Sequence, residues 1–234
     1  MRKPGTILTI AFFAVLVSAQ SAVEVDAEPN HHLVLDNEFV RAYKVEVGPR
    51  AVTLLHHHAH DYMFVSIGDA QIENDVQGKP PITLKLQDGE TRFLHGNFAH
   101  VAKNLADKPF RNVTIEFMKD EEARKHPPAK WDEERGMSVF NGGTKHILFV
   151  EDGVRVSEIE LQPGATVPRH HHKGPHLLVA VSDLQLRSDV EGKGPTPGNF
   201  NAGDVKWVPG GYTHTLTNTS KNPAKFVTLE FAGD

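Results

Sequence analysis

The chain contains no cysteine. Disulfides, thiolate metal ligands and cysteine nucleophiles are therefore excluded. It also lacks a basic excess: 25 Lys and Arg face 30 Asp and Glu, for a net charge of −5. A nucleic-acid-binding surface would show the opposite balance. No stretch sustains a 3.6-residue apolar period over three turns, and no Ser-His-Asp set, phosphate loop or paired catalytic carboxylates stand out. An apolar share of 39% over 234 residues is too high for a disordered chain and too low for a polytopic membrane protein. What the chain has in excess is histidine: 15 residues, most of them in short clusters.

Arg2 and Lys3 precede an apolar run from Ile7 to Val17, and Val17-Ser18-Ala19 offers small residues for cleavage. The run is far shorter than the ~20 residues that span a bilayer. Residues 1–19 are therefore expected to be a signal peptide, and the mature protein to be exported, periplasmic or secreted, and free of the membrane. Assembly into a homo-oligomer is left open.

The remainder is one unit written twice. A shift of 114 residues lays Val40–Met118 on Val154–Ala232 without a gap, with 25 identities over 79 positions. They include His56/His170, His57/His171, His58/His172, Gly89/Gly203, His100/His214 and Asn104/Asn218, and VTIEF falls on VTLEF. This is a duplication of a domain rather than a short-period solenoid. The expected organisation is a lead-in at 20–39, a first domain at 40–118, a charged linker or short surface helix at 119–139, and a second domain at 140–234. Within each unit, segments such as FVRAYKVEV, VRVSEIEL, PITLKL and NVTIEF alternate apolar and polar residues between Gly, Pro, Asn and Asp turn signals. The pattern predicts an all-β fold of two small barrels or sandwiches.

On a strand, His170 and His172 point the same way and His171 the opposite way. His176 has the same parity, although Lys173-Gly174-Pro175 interrupts the run, and His214 arrives from a distant strand. The same offsets recur in the first unit at His56, His58 and His100. Three or four neutral imidazoles converging from two strands form a plausible first-row metal site. His60 shares the parity of His56 and His58 and could be a further ligand or a rim histidine. His31, His32, His126 and His146 lie outside the pattern and are expected at the surface.

These residues resemble the two motifs of the cupins, G-x5-H-x-H-x3,4-E-x6-G and G-x5-P-x-G-x2-H-x3-N. The second motif runs intact from Gly203 through Pro209, Gly211 and His214 to Asn218. The first unit keeps Gly89, His100 and Asn104, with His95 and Asn97 at the Pro and Gly. In the first motif, Gly164, His170 and His172 match, while His176 stands at the Glu and Asp183 at the last Gly. The first unit has Arg50, His56, His58, Tyr62 and Asp69 at the same places. The chain thus resembles a bicupin, two double-stranded β-helix (jelly-roll) barrels, of the quercetin-dioxygenase-like kind. The resemblance implies a divalent transition metal (Fe, Mn, Ni or Zn) and a small-molecule substrate.

The family's ligand carboxylate is replaced by Tyr62 in one copy and His176 in the other. An all-imidazole shell leaves the metal charge uncompensated and favours an anionic, chelating ligand such as an enolate, catecholate or keto acid. Tyr62 reads either as a catalytic phenol or as a core aromatic. Glu116 and Glu230 read either as acceptors behind the ligand histidines or as ion-pair partners of Arg41 and Arg155. Function then divides three ways: a metal-dependent dioxygenase, a non-catalytic binding module for a metal or small acid, or a structural bicupin without metal.

Overall fold

The computed structural model describes residues 21–125 and 130–232. The signal-like segment 1–19 and His126 lie outside them. The first unit comprises β1 (Val23–Glu24), β2 (His31–Asp36), β3 (Val40–Val47), β4 (His56–His58), β5 (Tyr62–Ile67), β6 (Ala70–Val76), β7 (Ile82–Leu86), β8 (Thr91–Leu94), β9 (Phe98–Asn104) and β10 (Phe110–Phe117). A short helix, α1 (Asp120–Lys125), follows. The second unit comprises β11 (Gly136–Phe140), β12 (Gly143–Glu151), β13 (Val154–Leu161), β14 (Thr166–His172), β15 (His176–Ala180), β16 (Leu184–Val190), β17 (Thr196–Phe200), β18 (Val205–Val208), β19 (Tyr212–Asn218) and β20 (Ala224–Phe231).

Each unit is a two-sheet jelly-roll barrel. In the first, the sheets run β1-β4-β9-β6-β7 and β2-β3-β10-β5-β8; in the second, β14-β19-β16-β17 and β11-β12-β13-β20-β15-β18. The lead-in is part of the first barrel, because β2 pairs with β3 and β1 pairs in parallel with β4. The end of the expected linker likewise forms β11, an edge strand on β12. The duplication extends into these strands. His31 pairs with Val45 and Lys145 with Ile159, both 114 residues apart, and a register shift follows Leu33 in one copy and Ile147 in the other.

The two barrels meet through the sheets that contain β3, β10 and β5, and β13, β20 and β15. Val40, Ala42, Met63, Val65, Val113 and Ile115 pack with Val154, Val156, Leu177, Val179, Val227 and Leu229 in one buried cluster. Successive residues on these strands face opposite ways. Tyr43, Val45 and Val47 therefore line the first barrel's interior while Val40 and Ala42 line the seam. This double burial explains the near-continuous apolar runs of β5 and β15. Phe39 packs with tilted rings against Trp207 and Phe231 at 5.3 and 5.4 Å, and Lys44 pairs with Asp204 across the seam at 2.5 Å.

Two departures from the glycine pattern have a backbone reading. Gly164 and Gly211 hold φ of 76° and 81°, and their counterparts Arg50 and Asn97 hold 57° and 67°. The turns are thus kept in the left-handed region even where glycine is absent, at a cost that glycine would avoid. The motif asparagines are structural. Asn218 Nδ2 donates to the carbonyls of Leu161, Gln162 and Asn222, and Asn104 Nδ2 does the same with Val47, Gly48 and Lys108.

Candidate metal centres

In the second barrel β14 and β19 pair in antiparallel register, with His170 opposite His214. The Nε2 atom of His214 lies 3.0 Å from that of His170 and 3.2 Å from that of His172. The Nδ1 atoms are engaged elsewhere. His170 Nδ1 meets the Pro168 carbonyl at 2.7 Å, His172 Nδ1 meets Glu230 Oε1 at 3.4 Å, and His214 Nδ1 meets Ser188 Oγ at 2.8 Å.

The first barrel repeats the arrangement, with His56 opposite His100 on β4 and β9. Here Nδ1 of His56 meets the Leu54 carbonyl at 2.9 Å, that of His58 meets Glu116 Oε1 at 3.4 Å, and that of His100 meets Asn74 Oδ1 at 2.6 Å. The Nε2 atoms of His56 and His100 are buried without a protein partner. The ring of His56 lies 4.4 Å from that of His100 and 5.1 Å from that of His58.

A carbonyl or carboxylate beside Nδ1 accepts its proton, which fixes the tautomer and leaves Nε2 as a lone pair. Three lone pairs converging on one point repel one another, and a cation at that point removes the repulsion. Two nitrogens about 2.1 Å from a common ion at a right angle lie about 3.0 Å apart, as His170 and His214 do. The residues fit a divalent metal. Burial favours the neutral form of His56, His58, His100, His170 and His214. It pushes His56 down to about 4, His100 to about 2 and His214 to about 3, with neighbouring histidines adding to the effect at His100 and His214. Desolvation likewise depresses His58 and His170.

His176 stands apart from this triad. It opens β15, in the opposite sheet, and stacks on His172 at 4.1 Å, with its Nε2 3.5 Å from the Tyr212 hydroxyl. Tyr62 takes the matching position and stacks on His58 at 4.0 Å. Burial raises its hydroxyl well above the ordinary tyrosine value. The side chains that replace the family's carboxylate thus lie flat against a triad ring. The structure does not bring His60 to the cluster: its Nδ1 meets Asp120 Oδ1 of α1 at 3.1 Å.

The glutamates behave differently in the two copies. Burial raises the carboxyl of Glu116 above the usual range. Arg41 does not bond it, since its Nε turns to Asp36 Oδ1 at 3.3 Å. Glu230 contacts His172 and also binds Arg155 at 2.9 Å and Lys145 at 3.2 Å. Burial opposes its ionisation, but the His172 hydrogen bond and the two cations hold it well below the usual carboxylate range. The linker's Trp131 covers Arg155, 4.1 Å from its ring centre.

The expectation of a surface position fails for His31, whose side chain is 5% exposed. His31, His56 and His58 each present a ring nitrogen within 4.8 Å of the others, as do His170, His172 and His214. His32 is exposed and His146 half-buried. Extending the gapless frame backwards would have signalled the region, because His32 falls on His146.

The cavities differ too. That of the first barrel is about 140 Å³, lined by the histidines, Asn74, Asn112 and Arg92 among apolar residues. That of the second is about 420 Å³ and brings Lys193 and Lys206 together with His176, Ser188, Tyr212 and His214.

No family model matches the sequence, and no curated protein matches it. Solved structures do. A tryptophan-to-tyrosine variant of oxalate decarboxylase from Bacillus subtilis superposes with a TM-score of 0.59 at 15% identity, covering 83% of this chain and 69% of that one. A structure of the same enzyme described for its Mn(II) centres gives a TM-score of 0.60 at 14% identity, covering 88% and 76%. At such identity the likeness establishes the fold, and the histidine triads are consistent with a metal-binding member of it. In fold, this chain matches those structures: two jelly-roll barrels in tandem, each with a histidine cluster that could hold a metal.

Proposed function

We propose that the protein is an exported, metal-dependent bicupin that acts on a small, anionic, chelating substrate by dioxygenase-type chemistry. The observation that carries the metal reading is the convergence of three Nε2 atoms in the second barrel whose Nδ1 atoms are all engaged, matched in the first barrel by the ring cluster of His56, His58 and His100 and by ring nitrogens of His31, His56 and His58 within 4.8 Å of one another. His170, His172 and His214 would hold the ion in the second barrel, and His56, His58 and His100 in the first. A bound divalent metal supplies Lewis acidity and a template for a bidentate ligand.

The chain's own groups do the rest. Pro168, Glu230 and Ser188 hold the rings of the second triad in orientation. Lys193 and Lys206 on the cavity wall attract an anion and offset its charge. The apolar side chains of Leu178, Leu186, Phe200 and Leu216 exclude water from the same cavity. The likeness to oxalate decarboxylase, an enzyme named for a small dicarboxylate, supports the size and charge of the substrate.

The first test is metal content after purification without chelators. The expected result is stoichiometric first-row metal, with His170→Ala and His214→Ala each losing the second barrel's share and keeping the first's. No metal in the unaltered chain would leave a structural bicupin. The reaction class is tested by oxygen uptake and carbon dioxide release from metal-loaded protein with catechols, flavonols, β-diketones and oxalate. Oxygen uptake with one of them is expected. Binding without turnover would make the protein a binding module.

A further inference from the structure

We propose that His31 is a fourth imidazole donor of the first-barrel metal site, so that the two barrels hold chemically different centres. This rests on the metal reading above. His31 comes from β2, outside both cupin motifs, yet its ring centre lies 4.8 Å from that of His56 and 6.2 Å from that of His58. Its Nδ1 donates to Glu28 Oε2 at 2.7 Å, and that carboxylate is fully buried. His31 therefore presents Nε2, the same nitrogen that His56, His58 and His100 present, and it is backed by a carboxylate, the strongest such support in either barrel.

The local chain is built around this contact. Glu28 also accepts from the backbone N–H of Asn30 at 2.8 Å, from the Asn30 amide at 2.8 Å and from the N–H of Leu54 at 3.1 Å. Burial works against its ionisation, but the hydrogen bonds from His31, Asn30 and Leu54 bring it down to about 2. The carbonyl of Leu54 in turn accepts from His56 Nδ1. One continuous hydrogen-bonded path thus ties His31 to His56 through Glu28 and Leu54. The parallel pairing of Val23 with His56 lays β1 along the outer edge of β4, and His56 is 1% exposed.

The second barrel has none of this. The positions matching Glu28 and His31 are Gly142 and Lys145. Lys145 sits at the same register on its sheet, but its Nζ binds Glu230 Oε2 at 3.2 Å. Among the described residues β14 is an edge strand without a counterpart of β1, and His170 is half-buried. The second centre is therefore a three-imidazole site with a cation and open space beside it. The first is a four-imidazole site in a smaller pocket, with fewer positions left for substrate. Substrate chemistry belongs to the second barrel, and the first is a tight metal-holding site.

The test uses the full-length chain carrying His170→Ala, which confines metal to the first barrel. Co(II) is titrated calorimetrically and followed by its visible absorption. Adding His31→Gln, which retains an N–H for Glu28, is expected to weaken Co(II) binding by about tenfold or more and to alter the absorption band. His32→Gln, at the exposed neighbour, is expected to change neither. Unchanged affinity and spectrum in His31→Gln, with binding abolished by His56→Ala, would remove His31 from the site and leave the metal reading intact. Absence of Co(II) binding in the parent would overturn both. Pulsed EPR of the Cu(II)-loaded parent counts the imidazoles without altering His31: four are expected, and three would refute the proposal even if the variant does not fold.

Discussion

Acid should unfold the metal-free protein through its buried histidines. His56, His100 and His176 are pushed down from 6.5 to about 4, 2 and 3, by burial first. Their folded values lie below the unfolded one, so the unfolded chain binds more protons as the pH falls below about 6.5. Their contribution to stability is whole above that pH. It is lost progressively down to each folded value. Keeping one such ring neutral at pH 5 costs about 2 kcal/mol, and the three together cost about 6 kcal/mol. That is comparable with the whole stability of an ordinary domain. The carboxylates do not confuse this window. Glu28, held at about 2, weakens the fold only as the pH drops through and below 4.5. Glu116, raised by burial, acts in the opposite direction but is a single group. The assay is denaturant or thermal unfolding of metal-free protein at pH 7, 6 and 5, repeated with metal. The expected loss for the metal-free chain is about 6 kcal/mol, or about 15–20 °C in Tm for a chain of this size. The loaded chain should resist it until protons displace the ion. A metal-free stability that stays constant within about 1 kcal/mol from pH 7 to pH 5 would refute the reasoning.

Three further outcomes follow from the packing. Asn218→Ala strips three buried carbonyls of their donor and should destabilise by about 3 kcal/mol in chemical denaturation, without changing metal content. Leu229→Ala, at a fully buried seam position, should cost about 3 kcal/mol, and calorimetry should show both barrels melting in one transition. Gly210→Ala would place a methyl carbon 2.4 Å from the backbone of Gly174, and the melting temperature should fall by several degrees as the turn before β15 is displaced.

The strands of the barrels, and the placing of His56 opposite His100 and of His170 opposite His214, were legible because both depend on local pattern. Strand alternation marks β3 and β13, and the matched spacing of His56, His58 and His100 with His170, His172 and His214 survives duplication without gaps. What was not legible depends on contacts between distant segments. His176 has the right parity for a ligand, yet the chain turns at Lys173-Gly174-Pro175 and delivers it to the opposite sheet. His60 also has the right parity, but Asp120 arrives 60 residues later and captures it. His31 belongs to no motif, and its place depends on Glu28, a carboxylate whose burial no periodicity announces. Arg41 and Arg155 are identical in the two copies, yet one finds Asp36 and the other Glu230. Sequence identity between copies therefore does not carry over to identity of partners.

The seam between the barrels has an evolutionary corollary. Each half presents an oily wall that the other half must cover, so neither can be released as an independent soluble piece without a surrogate for its sibling. Two copies of an ancestral half could have met through the same wall, and fusing them into one polypeptide freed them to drift apart. The joined wall restrains the strands that build it. The sheets that carry His56, His100, His170 and His214 lie outside it and are free of that restraint.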